Sequence, residues 1–308
     1  MSEPSSGRHI VTVAGHIGSG KTEVCRQLSK LTGWEVVSAG AILRKMAVEH
    51  GMTVLEFNEY VKLHASIDRD IDAYIASRGN HPDSVIVDSR LAWHFVPDSV
   101  KAFLVVEPVI AAQRVFRATR PDEDHASIEN AASDNAERQR LERQRFMELY
   151  SLDCDYWRNY DLVIDTSFTL PEEAAHVLLR RVRSPESPAE RPQCWLAPKR
   201  LVPTQPVQDA EIQAGRSENG PIDIGVYGGA CLILSGHAMV SGAIRCGKNL
   251  IECRLIAFEG EPGDLALDDF VRTSTSLAWM HEWEDVHGFQ FSTYPAWLSR
   301  NERRRQST

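Results

Sequence analysis

The run Gly15-His16-Ile17-Gly18-Ser19-Gly20-Lys21-Thr22 contains the residues best suited to chemistry in this chain. Its spacing is G-x-x-x-x-G-K-[ST], the phosphate-cradling P-loop. Glycines at these places let successive backbone N–H groups turn inward on an anion. A helix that starts at the lysine adds the positive end of its dipole. Lys21 would then reach the β- and γ-phosphates of a nucleoside triphosphate, and the Thr22 hydroxyl would face Mg2+. Gly15, Gly18, Ser19, Gly20, Lys21 and Thr22 are therefore the expected triphosphate ligands, with ATP and Mg2+ as the expected cofactors.

Such a loop needs a buried strand before it and a helix after it. His9 to Ala14 is β-branched and apolar, as a central parallel strand should be. Glu23 to Leu31 places Val24, Leu28 and Leu31 on one helical face. Further strands are expected at Trp34–Val37, Val85–Asp88, Val100–Val106 and Leu162–Asp165. Helices are expected between them: Ala41 to His50 stopped by Gly51, one opened by the capping box Thr53-x-x-Glu56, one from Ser66 to about Ser77, and those begun by Pro108 and Pro171. Alternating strands and helices predict an α/β domain with a five-stranded parallel sheet covered on both faces. The segment Arg114 to Arg145 holds seven arginines among many carboxylates.

The whole chain has 308 residues, 43% of them hydrophobic and 25% charged, the balance of a soluble globular protein. No apolar run approaches the roughly 20 residues of a membrane span. Residues 1–7 lack the apolar core of a signal peptide, so a short disordered tail and a cytoplasmic protein are expected. The formal charge of −9 argues against nonspecific nucleic-acid binding. The six cysteines form no C-x-x-C pair and read as structural thiols. A polar, Pro-rich stretch from Ser184 marks a linker over 184–195, separating a domain at 8–183 from a second at 196–300. In the second domain, strands flank Gly228-Gly229, a helix closes at Gly247, and another strand spans Leu250–Phe258. Trp279, Trp283 and Trp297 are expected to pack in its core. Residues 301–308 are expected to be a basic, solvated tail.

Ser38-Ala39-Gly40 with Ile42-Leu43-Arg44, Gly51 to Asn58, Ile67 to Asp72, Val87 to Trp93, Arg145 to Asp153 and Tyr160 to Ser167 follow one another in order. Together with the P-loop, over about residues 8–182, this set resembles the archaeal-type cytidylate kinase family. The resemblance implies a nucleoside-monophosphate (NMP) kinase fold with a helical NMP-binding insertion and an Arg-rich lid. It puts Ser38, Arg44, Asp68, Arg69 and Arg90 at the acceptor nucleotide, with Arg44 and Arg90 on its phosphate. It makes Arg114, Arg138 and Arg145 catalytic arginines beside Lys21. Asp88, ending the third strand, is expected to join Thr22 as a ligand to Mg2+ or its waters. The chain has Ser89 and Ser151 where the family usually has Gly, Gln139 for Glu, and Phe146 for Tyr.

Leu201 to Gln205, Gly225 to His237 and Val240 to Ile244 are similar to the ParB/sulfiredoxin-like α+β fold. Ser235 replaces the aspartate of its glycine–histidine turn and Met239 replaces the arginine, so a structural role is expected for His237, with contact to an anion as the alternative. The reading as a whole is an ATP-dependent phosphotransferase moving the γ-phosphate to a (d)CMP-type pyrimidine monophosphate. Its expected partner is a small-molecule nucleotide, with no membrane; nothing in the sequence supports a nucleic-acid or protein partner for the second domain. Two rivals stand beside it: a P-loop kinase for a modified nucleotide, metabolite or DNA base, and a regulatory nucleotide-binding module with a recruiting second domain.

Overall fold

The computed structural model describes residues 7–118, 127–184, 192–207, 221–261 and 267–298. The expected N-terminal and C-terminal tails and most of the linker lie outside the described residues. The chain divides into two compact units, Met1–Glu190 and Arg191–Thr308.

In the first unit, β1 (Ile10–Gly15) leads through the P-loop into α1 (Lys21–Thr32) and β2 (Glu35–Ser38). Three helices follow, α2 (Ala39–Glu49), α3 (Val54–Leu63) and α4 (Ala65–Gly79), before β3 (Val85–Asp88), the short α5 (Ala92–Phe95) and β4 (Val100–Val105). The chain continues through α6 (Pro108–Arg117), α7 (Ile128–Tyr150), β5 (Leu162–Asp165) and α8 (Pro171–Arg183). The five strands run parallel in the order β2-β3-β1-β4-β5. All four residues of β3 and of β5 are buried: three apolar residues in each, as central parallel strands require, and a closing aspartate, Asp88 or Asp165. The first connection carries the chain past β3's place, whereas β4 and β5 lie on the other side of β1. The topological switch is therefore at the carboxyl end of β1, where α/β sheets bind their ligands.

Helix α1 buries Val24, Cys25 and Leu28, while Leu31 is exposed in its last turn. The helices α2–α4 form the insertion, with their own core of Ala47, Phe57 and Val61 packed by Met46, Met52 and Tyr60. The capping box is made: Thr53 Oγ1 accepts from Glu56 N, and Thr53 N donates to the Glu56 carboxylate at 2.8 Å. Residues 119–126, the middle of the expected lid, lie outside the described residues.

The second unit contains β6 (Gln193–Leu196), β7 (Leu201–Val202), β8 (Ile222–Tyr227), β9 (Ala230–Ser235), α9 (His237–Arg245), β10 (Ile251–Phe258), α10 (Leu267–Thr273) and α11 (Leu277–His287). The expected linker is too long, because its last three residues already belong to β6. The strands form a mixed sheet in the order β6-β10-β8-β9-β7. Gly228 and Gly229 both take positive φ between β8 and β9, the geometry of a tight hairpin. Trp283 is buried, but Trp279 and Trp297 are only half-buried, so one of the three tryptophans is a full core residue.

His237 opens α9 and is 7% exposed. Its Nε2 accepts a hydrogen bond from Thr204 N at 3.1 Å, which ties the start of α9 to the loop after β7. Burial lowers its pKa to about 4. A neutral imidazole with its lone pair on a backbone amide is a structural histidine. Five cysteines are buried thiols and Cys246, just past α9, is exposed. No described helix is long and apolar enough to cross a membrane.

Candidate active site

A cavity of about 470 Å3 opens at the switch point. It is lined by the P-loop, the start of α2, one turn of α4, the end of β3, the end of α6 and the inner face of α7.

The P-loop is held by close packing. Gly18 has φ +73°, and a Cβ there would come within 2.7 Å of the Ala111 carbonyl oxygen. Only glycine meets both conditions. Gly15 and Gly20 also take positive φ. Ser19 is buried, and its hydroxyl has no hydrogen-bond partner among the described residues. An orphaned donor inside an anion cradle fits a missing phosphate oxygen. The Lys21 ammonium donates to the carbonyl oxygens of Gly15 at 2.9 Å and His16 at 3.2 Å. Burial, reinforced by the neighbouring charge of Arg90, lowers its pKa to about 8.

Asp88 ends β3 at the floor of the cavity. Its Oδ2 accepts from Thr22 Oγ1 at 3.3 Å and from Ser38 Oγ at 3.2 Å. Two hydroxyls and a carboxylate form the hard oxygen set that suits Mg2+. Ser38 is also the N-cap of α2, accepting from Ala41 N. It lines the cavity and also touches Asp88, a contact the resemblance did not imply.

The expected arginines do not all behave alike. Arg44, exposed at the cavity rim, and Arg90, Arg138 and Arg145 all line the cavity. The Arg145 guanidinium lies 5.3 Å from the Phe146 ring centroid. Arg114 also borders the cavity, but its guanidinium donates to the carbonyls of Thr166 at 2.6 Å, Ser167 at 3.3 Å and Gly18 at 3.4 Å. It braces the P-loop against the loop after β5, a role the sequence reading did not foresee. Arg69 does not belong to the cavity. Ile71 and Ile75 set the phase of α4 by burying into the core, and Arg69, about 200° from Ile71 around the helix, is left exposed. The side chain of Asp68 lies outside the described residues.

Two participants were missed. Glu142 is sheltered in the cavity wall, with its carboxylate 2.9 Å from Arg90 Nη2 and 3.1 Å from Arg138 Nε. It shares a face of α7 with Arg138 and Arg145 at i, i+4 and i+7, a spacing that could have singled it out. Burial alone would raise its pKa, but Arg90, Arg138 and Lys21 outweigh burial and hold it below the ordinary carboxylate value. Asp72, one residue past Ile71, lines the cavity and accepts from Tyr150 Oη at 2.6 Å.

This geometry agrees with what the chain is similar to. A family model described as an AAA domain matches residues 11–142. The cytidylate kinase of Pyrococcus abyssi is 37% identical over 164 residues, covering 53% of this chain and 87% of that protein. That of Methanobrevibacter smithii is 31% identical over 174 residues, covering 56% of this chain and 98% of that one. That of Thermoplasma volcanium is 36% identical over 174 residues, covering 56% of this chain and 90% of its own. The chain belongs to the cytidylate kinase family. Like the family, it is a P-loop nucleoside monophosphate kinase that uses ATP and Mg2+. The likeness to these family members takes in little more than half of the chain.

Proposed function

We propose that the first unit transfers the γ-phosphate of ATP to a cytidine-type monophosphate, CMP or dCMP. The observation that carries this reading is the convergence of Lys21, Arg90 and Arg138 on one cavity, whose floor is Asp88 and whose acceptor rim carries Arg44. The cytidylate kinases to which the chain is similar support the choice of base.

Phosphoryl transfer asks a protein mainly for positioning and for charge on the equatorial oxygens of the moving group. The P-loop amides and the α1 N-terminus receive the triphosphate, and Lys21 gives up the Gly15 and His16 carbonyls for phosphate oxygens. Mg2+ bound with ATP neutralises charge on the phosphates, and Thr22 and Asp88 would hold it. Arg44 holds the acceptor phosphate from the rim. Arg90 and Arg138 meet the group in transit. A bond forms between an acceptor phosphate oxygen and the γ-phosphorus as the bond from that phosphorus to the β-bridging oxygen breaks. The attacking oxygen is already an anion near neutral pH, so no general base is required. The buried, unbridged thiols suit a cytoplasmic home.

A coupled ADP-release assay across CMP, dCMP, UMP, AMP, GMP and dTMP tests the reading. The cytidine monophosphates should give the highest kcat/KM. Silence with every monophosphate would remove the proposal, and preference for another base would correct the acceptor.

A further inference from the structure

Most of the acidic groups near this cavity have an evident task, but Glu142 does not. It stands where two polyphosphates should meet, and a carboxylate there repels them. What Glu142 does in this site is specific. Its Oε1 accepts a hydrogen bond from Arg138 Nε at 3.1 Å, and its Oε2 forms an ion pair with Arg90 Nη2 at 2.9 Å without hydrogen-bond alignment, so each oxygen faces one guanidinium. The two arginines come from different places, Arg90 from the loop after β3 and Arg138 from α7. One planar group with two oxygens brings both to a single point beside Lys21. Guanidinium donors pair equally well with carboxylate and phosphoryl oxygens.

We propose that Glu142 is a positioning residue that stands in for two oxygens of the transferring phosphoryl group, holding Arg90 and Arg138 at the transfer point until the nucleotides displace it. This rests on the reading of the site as a phosphoryl-transfer centre. Burial pulls the Arg90 pKa down, but Glu142, together with Cys154, Asp155 and Tyr160, outweighs it and keeps Arg90 above its ordinary value. Buried arginines without such a partner would turn to main-chain carbonyls, as Arg114 has done. The carboxylate competes with substrate phosphates for the arginines, so it weakens ground-state anion binding. In exchange it delivers both guanidinium groups already oriented, an effect realised in the transition state.

The test uses the full chain with Glu142→Gln, Glu142→Asp and, as a control on the same helix, Glu137→Gln, whose ion pair with Arg140 is exposed. Calorimetry of nucleotide-free enzyme with inorganic pyrophosphate reads the competition. Steady-state kinetics with ATP·Mg2+ and CMP read the positioning. In Glu142→Gln, pyrophosphate should bind about tenfold tighter while kcat falls at least tenfold and neither KM rises. Glu142→Asp keeps the charge but draws it back by one methylene. There, pyrophosphate affinity should stay within threefold of the starting protein while kcat falls about tenfold. Glu137→Gln should match the starting protein in both assays. A carboxylate that merely tied α7 to β3 would lower thermal stability and leave both readouts in place. Unchanged pyrophosphate affinity in the Gln variant, or kcat within twofold of the starting protein in either variant, overturns the proposal. The Asp variant keeps it decidable if the Gln variant does not fold. If the starting protein phosphorylates no monophosphate, the acceptor reading falls, and the pyrophosphate measurement, which needs no acceptor, still decides the role of Glu142.

Discussion

Lys21 is a buried lysine whose ammonium rests on the carbonyl oxygens of Gly15 and His16, and its pKa of about 8 sets the pH at which the P-loop loses that charge. Below that pH it is protonated and attracts triphosphate. Above it the amine is neutral and the attraction fades. The profile of kcat/KM for ATP, which reports the free enzyme, should therefore fall on the alkaline side with a midpoint near 8. Bound phosphates favour the charged form, so kcat should stay level to higher pH. Rate profiles from pH 6 to 10 check both limbs, and coincident midpoints would contradict this account. Lys21→Ala should lower kcat/KM by about 100- to 1,000-fold, the size of effect seen when one donor to a developing charge is removed. Its circular dichroism should stay native, because the two carbonyls it leaves border an open cavity. The single residues of the site were unevenly legible. The P-loop was readable because eight consecutive residues carry its whole geometry. Glu142 was legible only in part: its spacing from Arg138 and Arg145 is local, but its pairing with Arg90, distant in sequence, is made only where the end of β3 meets α7.

At the scale of elements, local signals decided most of the fold. Pro108 and Pro171 each start the helix expected of them, and Thr53 caps the helix its capping box predicts. The failures are matters of phase. Whether Arg69 or Asp72 faces the cavity depends on which stripe of α4 is buried, and a mostly polar helix states that only through Ile71 and Ile75. Helix α7 ends on an element-scale strain. Ser151 adopts φ 57°, the only positive φ outside glycine among the described residues. Its backbone N–H donates to Met147 O at 2.9 Å to close the helix. The position demands the left-handed conformation that glycine adopts freely. Ser151→Gly should therefore stabilise the first unit by about 0.5–1 kcal/mol, read as a higher urea midpoint at unchanged slope. An unchanged or lowered midpoint would show that serine loses nothing there.

At the scale of the molecule, the two units were legible to different depths. The first has a buried parallel sheet whose strands are nearly continuous apolar runs, a pattern with few alternatives. In the second, short strands join a mixed sheet whose order depends on contacts between distant segments, which no local spacing reveals. His237 illustrates the gain from structure: the turn that marked it in sequence is a clasp on Thr204. Burial of that imidazole makes the second unit acid-sensitive. The folded pKa of about 4 lies below the ordinary histidine value of 6.5, so between these limits the unfolded chain binds the extra proton. Stability is complete above about pH 6.5 and declines as pH falls toward 4, by about 3 kcal/mol in all. His237→Gln should flatten this dependence in denaturant titrations at pH 7 and pH 4.5, and an undiminished acid loss would place its cause elsewhere.

Because five of the six thiols are shielded and Cys246 alone is solvent-facing, the unmodified polypeptide already offers a single handle for a maleimide dye. A fluorophore there would watch the C-terminal unit while ATP is titrated into the N-terminal one. Whether the two halves communicate thus becomes an optical question that needs no engineered sequence.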